Sequence, residues 1–483
     1  MRIIQGGMGV GISHWRLARA VSEAGQLGVV SGTALDQVLA RRLQQGDPGG
    51  HMRRALDHFP VPEFAEHVWH TYYIPGGKTP QEAWRGVELA SAEPSVTWQT
   101  LVVVANFVEV FLAKEGHGHP VGINYLEKIQ TPHLPSIYGA MLAGVDYVLM
   151  GAGIPMRIPG VLDRFVHHEA ATYPLAVTGA EEGVVQSFDP RAFLGRVLPP
   201  LTRPRFLAIV ASDVLALTLA RKANGHVDGF IVEGPTAGGH NAPPRGALQL
   251  NARGEPIYGP RDVVNLEKLR AIGRPFWLAG GAGTAAGLRA ALDAGAAGVQ
   301  VGTAFAMCAE SGLRDDLRRA LLDRVRTGTA EVVTQPIASP TGFPFKVASL
   351  DGTLSDPAIV AARPRICDLG YLREAYRTAD GGVGFRCPAE PVTLFVAKGG
   401  EVAQTEGRAC ICNALLATTG LPQVRAGRHV EPPIVTMGDD LVNVGRFLRP
   451  GAVDYTAGDV IATILGAREA SRHEAATMVA SRP

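Results

Sequence analysis

The 483-residue sequence has little of what marks membrane or nucleic-acid-binding proteins. Its longest apolar stretch, residues 101–113, is too short to span a bilayer and contains Asn106 and Glu109. The formal net charge is only +1, which gives no electrostatic basis for binding nucleic acid or an anionic lipid surface. We therefore expect no nucleic-acid partner and no membrane association.

Cysteine is also scarce, with 5 residues in the whole chain. At the N-terminus, Ile3, Ile4 and Gln5 lead directly into glycines, without the charged and long apolar regions of a signal peptide. An odd number of cysteines without a leader favours free thiols over a disulfide framework. The expected location is the cytoplasm.

Glycine, in contrast, is abundant at 58 residues and follows no collagen-like period. Short apolar runs repeatedly end in glycine or a polar residue and are followed by helical periodicity, as in β-α units of a parallel sheet. Ser13, and Ser212 or Asp213, stand where they could cap the helices that follow, and Thr284 opens a further helix. The predicted fold is α/β, a (β/α)8 TIM barrel, with strands at 3–5, 27–31, 121–124, 147–150, 206–210, 229–233, 275–279 and 298–301.

Two segments depart from this alternation of strands and helices. Residues 59–119 are rich in proline and aromatic residues, and we interpret them as a helical insertion: a lid over the barrel mouth, a subunit interface or a peripheral elaboration. Residues 331–483 begin with a proline and glycine cluster and lose the periodicity, which indicates a cysteine-containing C-terminal extension that wraps or caps the barrel. The predicted barrel domain is 1–330, interrupted by 59–119.

The strongest local pattern is residues 275–305, which read strand, glycine turn, helix, strand, glycine turn, helix. Glycines at the ends of adjacent parallel strands let backbone N–H groups approach an anion closely, and the loops after the last two barrel strands commonly hold a phosphate. Gly280, Gly281, Gly302 and Thr303 are therefore predicted to form a phosphate cradle, although tight turns alone would also need glycine.

A histidine follows the sixth predicted strand, in the sequence Ala237-Gly238-Gly239-His240. The carboxyl end of a barrel strand faces the active site, and an imidazole with an ordinary pKa near 6.5 suits proton transfer near neutrality. His240 is the predicted catalytic residue.

Several motifs together resemble a known family. They are Gln5-Gly6-Gly7-Met8, Gly122-Ile123-Asn124, the Gly-Gly-His element at 238–240, Ala279-Gly280-Gly281, and Val299-Gln300-Val301-Gly302-Thr303. The chain resembles the nitronate monooxygenase (2-nitropropane dioxygenase) family of FMN-dependent barrels, which also contains FMN enoyl reductases of fatty acid and polyketide synthesis. The resemblance covers about 1–45 and 120–310.

The resemblance implies FMN as cofactor. Its implied binding residues are Gly7, Met8, Asn124, Gly238, Gly239, Gly280, Gly281, Gln300, Gly302 and Thr303, and His240 would be the catalytic base or a substrate-orienting residue. The flavin would carry the redox chemistry while protein groups orient and tune it.

The implied function is that of a flavoprotein oxidoreductase acting on a small molecule. In the first hypothesis, a nitronate monooxygenase, an alkyl nitronate and O2 give a carbonyl compound and nitrite. In the second, NAD(P)H reduces FMN, which passes hydride to an activated double bond. A third hypothesis, of another class, is a non-catalytic flavin- or metal-binding accessory protein. The substrate is left open, and a homo-oligomer is a possible assembly.

The cysteines of the extension form a second candidate site. Cys367, Cys387, Cys410 and Cys412 could ligate Zn2+ or an iron–sulfur cluster. Their spacing lacks the usual paired C-x2-C pattern, and buried free cysteines often act as small apolar residues. Both interpretations stay open at this point.

Overall fold

The computed structural model describes residues 1–180, 183–425 and 429–467. Its strands are β1 (Ile3–Gln5), β2 (Gly28–Ser31), β3 (Val121–Leu126), β4 (Tyr147–Gly151), β5 (Ala171–Leu175), β6 (Val177–Thr178), β7 (Val184–Phe188), β8 (Arg205–Val210), β9 (Gly229–Glu233), β10 (Phe276–Ala279), β11 (Gly298–Val301), β12 (Val332–Gln335), β13 (Phe345–Ala348), β14 (Glu374–Arg377), β15 (Val383–Arg386), β16 (Val424–Arg425) and β17 (His429–Val430).

The α-helices are α1 (Trp15–Glu23), α2 (Leu35–Gln44), α3 (His51–Leu56), α4 (Pro62–Tyr72), α5 (Val96–Lys114), α6 (His133–Leu142), α7 (Ile158–Val166), α8 (Pro190–Leu194), α9 (Asp213–Lys222), α10 (Leu266–Ala271), α11 (Ala285–Asp293), α12 (Thr303–Ala306), α13 (Asp315–Arg326), α14 (Pro357–Ala362), α15 (Val392–Ala397), α16 (Ile411–Thr418) and α17 (Ala457–Ile464). Short 3-10 helices cover Pro260–Asp262, Val402–Thr405 and Asp439–Phe447.

Eight strands form one sheet in the order β1-β11-β10-β9-β8-β4-β3-β2, and every pairing in it is parallel. The two end strands also meet, because the Leu27 N–H donates to the Ile3 carbonyl (3.1 Å) and the Gln5 N–H donates to the Leu27 carbonyl (2.9 Å). The sheet is therefore a closed barrel without a free edge. The predicted (β/α)8 fold is confirmed.

Successive residues of the barrel strands point to opposite faces of the sheet. Ile231 and Trp277 belong to the cluster that fills the barrel interior. Phe230 and Val232, which flank Ile231 in β9, belong to the larger cluster between the barrel and its helices. Both faces are thus apolar, which explains why these strands read as continuous apolar runs.

Of the predicted helix caps, the structure selects Ser212 rather than Asp213, and Thr284, predicted as a helix start, is also an N-cap. The Ser212 hydroxyl accepts a hydrogen bond from the Leu215 N–H (3.0 Å), and the Thr284 hydroxyl accepts one from the Gly287 N–H (2.8 Å). The prediction for Ser13 is wrong, because His14 is the N-cap of α1. Ser13 instead bonds to the glycine loop that precedes it, as described below.

The predicted insertion 59–119 contains α4, an irregular segment and α5. Helix α5 packs against α1, α2 and α6, and its buried Glu109 accepts a hydrogen bond from the Trp15 N–H (2.8 Å) and pairs with Arg42 (2.6 Å). This packing places α5 in the helical layer around the barrel rather than over its mouth. The domain boundary at 59–119 stays a prediction.

Helix α5 is, among the described residues, one helix whose length and hydropathy would suit a membrane span. However, 78% of its most apolar window is buried inside the protein. Its apolar character is therefore accounted for by packing in the helical layer.

The C-terminal segment, residues 331–467 of the described chain, packs on the barrel at several places. The Arg41 guanidinium donates to the Leu421 carbonyl (2.6 Å), and the Tyr455 hydroxyl donates to the Ala304 carbonyl (2.7 Å). The hairpin of β12 and β13 lies next to the loop after β9, where the Lys346 N–H donates to the Gly239 carbonyl (3.0 Å). Part of this segment therefore reaches the carboxyl ends of the barrel strands.

Candidate active site

One cavity lies at the carboxyl ends of the barrel strands, and it unites the residues that the sequence singles out. Every residue predicted to bind the cofactor, and the predicted catalytic residue, line it: Gly7, Met8, Asn124, Gly238, Gly239, His240, Gly280, Gly281, Gln300, Gly302 and Thr303. These residues come from loops after five different barrel strands or from the strands themselves. Their convergence is a finding; their individual roles stay predictions.

The two glycines after β10 have backbones that L side chains rarely adopt, with φ of +95° at Gly280 and +73° at Gly281. A Cβ on Gly280 would lie 2.7 Å from the Thr236 hydroxyl oxygen. Glycine is thus required here both by conformation and by space. After β11, the Thr303 hydroxyl accepts a hydrogen bond from the Gly438 N–H (2.9 Å), which leaves its own proton free to be donated.

The loop after β1 forms another wall of the cavity. A Cβ on Gly7 would overlap the Cβ of Asn124 on β3, so the backbone runs directly against that side chain. The buried Ser13 hydroxyl fixes this loop, because it accepts from the Met8 N–H (2.9 Å) and donates to the Gly6 carbonyl (3.0 Å). Ser13 therefore holds the glycine loop in place, a role that its sequence position before α1 concealed.

Polar side chains lie on the floor of the cavity, at the ends of β9 and β11. Glu233 is in register with Ala279, and Ala279 is in register with Gln300. The Gln300 Oε1 atom is buried and has no hydrogen-bond partner among the described residues. A buried acceptor without a partner costs free energy unless a ligand or water satisfies it.

The residues present fit FMN. The glycine turns after β10 and β11 leave a space that side chains would fill, as a phosphate requires, and Gln300 offers an unsatisfied acceptor for a ring N–H group. This agreement comes from the chain itself and supports the predicted cofactor.

His240 lies at the cavity wall, and its surroundings are apolar. Its ring centroid is 4.8 Å from that of Phe345 and 6.4 Å from that of Phe343. Its Nε2 atom is 2.7 Å from the Ser339 hydroxyl oxygen. Burial lowers the pKa of His240 to about 4, so its imidazole is neutral at pH 7.

The partner of His240 belongs to a small network that the sequence did not single out. Ser339 is fully buried, its hydroxyl lies 2.8 Å from that of Thr341, and its carbonyl accepts from the Arg408 guanidinium (2.6 Å). The sequence marks 339–344 only as a breaker cluster. Its contact with His240 depends on long-range packing.

Glu233 is a second residue that the sequence analysis missed. Burial raises the pKa of its carboxyl to about 8, which keeps it largely neutral at pH 7. The alternation of side-chain directions along β9 could have indicated Glu233, because an inward-facing Ile231 implies an inward-facing Glu233.

The C-terminal segment forms much of the remaining wall. The Thr436 hydroxyl accepts from the Gly239 N–H (2.9 Å), and the Asp439 N–H donates to the Thr236 carbonyl (3.1 Å). Apolar side chains from this segment complete the wall: Phe345, Leu372, Ile411, Leu415, Val435 and Met437. The wall that this segment contributes is therefore mostly apolar.

The metal prediction for the cysteines finds no support among the described residues. Cys367, Cys387, Cys410 and Cys412 are all free, and no group of three or more His, Cys, Asp or Glu side chains in the described ranges is arranged to hold a metal ion. Cys367 and Cys387 share a side-chain hydrogen bond, which lowers the pKa of the Cys367 thiol. The metal site and the packed thiols therefore both stay predictions.

A closed parallel barrel with a glycine-lined cavity and a histidine at the carboxyl ends of its strands defines the class of the fold: a (β/α)8 barrel with its candidate site at the mouth. Residues 205–340 match the family model described as nitronate monooxygenase. This part of the chain is similar to nitronate monooxygenases, as its motifs indicate.

Individual relatives agree at modest identity. The chain is 34% identical to a nitronate monooxygenase of Pseudomonas aeruginosa over 154 residues, which are 31% of this chain and 42% of that protein. It is 28% identical to a nitronate monooxygenase of Paraburkholderia phytofirmans over 239 residues, 49% of this chain and 61% of that protein. The matches therefore span less than two thirds of either relative.

Among solved structures, FabK from Thermotoga maritima aligns with 99% of this chain and 95% of its own, at 15% identity and a TM-score of 0.48. The fold assignment for this chain rests on its own strand pairing.

Proposed function

We propose that the protein is an FMN-dependent oxidoreductase that oxidises an alkyl nitronate with O2, giving a carbonyl compound and nitrite. The observation that carries the proposal is the single cavity in which the glycine turns after β10 and β11, the unpartnered Gln300 oxygen and His240 converge. The related nitronate monooxygenases support the reaction class.

In this proposal Gly280, Gly281, Gly302 and Thr303 hold the FMN phosphate, while Gly7, Met8, Asn124, Gly238, Gly239 and Gln300 surround the rest of the cofactor. Bound FMN supplies the electron transfer that protein side chains cannot perform. The chain contributes a fixed, glycine-lined surface that orients the cofactor against the apolar wall.

His240 is the proposed catalytic residue. Because its imidazole is neutral at pH 7, a ring N–H can donate a hydrogen bond to an oxygen of the nitronate, which is already deprotonated, and so orient this anion in the cavity. The hydroxyl of Ser339 beside Nε2 restrains the ring orientation. An ordinary solvent-exposed histidine would be partly protonated at the same pH.

The experiment that tests the function is the visible spectrum of the purified protein, mixed anaerobically with an alkyl nitronate and, separately, with NADPH. We expect an oxidised-flavin spectrum that nitronate alone bleaches. A colourless protein that FMN cannot reconstitute would overturn the cofactor and the function together.

The second candidate is an NAD(P)H-dependent FMN enoyl reductase. The apolar wall formed by Phe345, Leu372, Ile411 and Leu415 favours it, because such a wall suits an unsaturated acyl substrate. In the same experiment, this candidate requires that NADPH bleaches the flavin and nitronate does not. A protein that binds FMN but responds to neither reagent fits the accessory-protein hypothesis.

Two further expectations accompany the proposed function. A homo-oligomer is a proposed assembly, testable by light scattering, and the cytoplasm is the proposed location.

A further inference from the structure

Glu233 is the last residue of β9, and strand geometry fixes the direction of its side chain. Ile231, two residues earlier, packs in the barrel interior, whereas Phe230 and Val232 pack outside it. Because side chains alternate along a strand, Glu233 points inward. It lines the cavity at the mouth of the barrel.

The residues beside Glu233 on the cavity floor leave space for a ligand next to its carboxyl. Glu233, Ala279 and Gln300 form one row across β9, β10 and β11. Adjacent strands lie roughly 4.8 Å apart, so the two polar residues stand about 10 Å apart with only a methyl group between them. No bulky side chain of this row separates either polar group from a ligand in the cavity.

The Glu233 carboxyl has no hydrogen-bond or ion-pair partner within the described ranges. No lysine or arginine among the described residues lines the cavity. The titratable groups that line the cavity or interact with Glu233 include Tyr258, His240, Asp440, Tyr125, Tyr371 and Cys412; Tyr258 donates a hydrogen bond to the Ala242 carbonyl (3.0 Å), and Asp440 is paired with Arg446 (2.9 Å). Nothing in this part of the protein therefore compensates a carboxylate.

We propose that Glu233 is a hydrogen-bond donor of the cofactor site, whose protonated carboxyl donates to the ring system of bound FMN. The inference rests on the proposed function. It assigns complementary roles to the two polar residues on the cavity floor. The Glu233 carboxyl donates a hydrogen bond, and the unpartnered Gln300 oxygen accepts one. An isoalloxazine edge carries both acceptors and an N–H donor, so it can satisfy both.

The proposal predicts proton uptake when FMN binds. The raised pKa of about 8 means that a large part of the free protein carries a Glu233 carboxylate at pH 8.5, and FMN selects the protonated form. Titration calorimetry in two buffers of different ionisation enthalpy should therefore show uptake of up to one proton per FMN at pH 8.5 and little at pH 6.5. The dissociation constant should rise by up to tenfold per pH unit above pH 8.

The matched variants are Glu233→Gln, which keeps a neutral donor, and Glu406→Gln, which removes the same charge from an exposed position. We expect Glu233→Gln to bind FMN without proton uptake at pH 8.5 and with an affinity that stays flat between pH 7 and 9. Glu406→Gln should behave as the wild type.

The wild type alone already decides the question. If it binds FMN at pH 8.5 without taking up a proton, the role of Glu233 is refuted while the proposed function stands. If Glu233→Gln shows the same uptake as the wild type, another group is responsible and the inference fails as well. If neither protein binds FMN at any pH, the proposed function fails with it.

Discussion

The barrel and the C-terminal segment contribute different kinds of groups to the same cavity. The barrel contributes backbone and floor: the glycine turns after β10 and β11, and the inward-facing Glu233 and Gln300. The C-terminal segment contributes side chains around His240, among them Ser339, Phe345 and Thr436. This difference suggests a division in which the barrel binds the cofactor and the C-terminal segment shapes the surroundings of the substrate.

Replacing His240 should separate substrate turnover from cofactor binding, and it should have the largest effect. In His240→Ala we expect turnover to fall by roughly two orders of magnitude, because the nitronate loses the hydrogen bond that orients it, while FMN stays bound. Steady-state kinetics and the flavin absorbance of the purified variant measure both quantities. The exposed His70→Ala is the control; loss of flavin together with activity in His240→Ala would show a structural role instead.

Replacing Gly280 should test the part of the cavity that the barrel contributes, where the cofactor is proposed to bind. A Cβ there meets the Thr236 hydroxyl at 2.7 Å, so Gly280→Ala should weaken FMN binding by at least about tenfold through displacement of the cradle. Fluorescence titration of the apoprotein with FMN measures this. Gly273→Ala is a matched control, because its φ of +73° is also positive but its Cβ would meet nothing within 4 Å. Equal affinities of the two variants would contradict the cradle.

Ser339→Ala should sharpen the role of the C-terminal segment. Loss of a hydrogen bond worth about 1 kcal/mol predicts a fall in kcat of about fivefold, because the imidazole of His240 is less well oriented. FMN affinity should not change. Rescue of kcat by Ser339→Thr would support positioning by the hydroxyl, whereas a changed FMN affinity would place Ser339 in the cofactor site.

The free energy of unfolding should depend on pH mainly through buried histidines of the barrel. Burial lowers the pKa of His133 to about 4 and that of His14 to about 3, and His240 behaves likewise. The unfolded chain binds protons at these positions near pH 6.5 and the folded chain does not, so the free energy of unfolding should fall as pH drops from 6.5 to 4.

Urea unfolding at pH 7, 6 and 5 measures this loss of stability. His133→Gln should show a smaller loss than the wild type, and the exposed His70→Gln the same loss. Equal losses in all three proteins would mean that His133 does not remain neutral in the folded state.

The smallest expected effect concerns metal. Elemental analysis of anaerobically purified protein should find neither zinc nor iron in stoichiometric amount, because the described cysteines form no ligand group. A reproducible content of one zinc or several irons per chain would restore the ligand interpretation of Cys367, Cys387, Cys410 and Cys412.

The sequence predicts the barrel well because the barrel is a repeated local pattern. Strands such as β9 and β10 are apolar on both faces along most of their length and end at a polar residue or are followed by glycine, and each of these signals lies within a few residues. The cavity follows from the same pattern, since the carboxyl ends of parallel strands meet. These features need no knowledge of distant contacts.

The surroundings of His240 depend on distant contacts and could not be read in this way. Ser339 follows His240 by 99 positions, and the Thr436 hydroxyl lies 197 positions from the Gly239 N–H. No periodicity marks either residue. The packing of helix α5 in the layer around the barrel also depends on distant contacts, because its partners α1 and α2 lie far before it in the sequence.

The pairing of β1 also sets an order in time for the growing chain. β1 is made first, yet it is flanked by β11, whose residues 298–301 leave the ribosome far later. Until then one edge of β1 has no partner, and the barrel cannot close. The loop carrying His240 waits longer still, because Thr436 is synthesised after the barrel is complete. A nascent chain stalled near residue 330 would thus display a closed barrel with its glycine turns while the loop carrying His240 still lacked its final contacts.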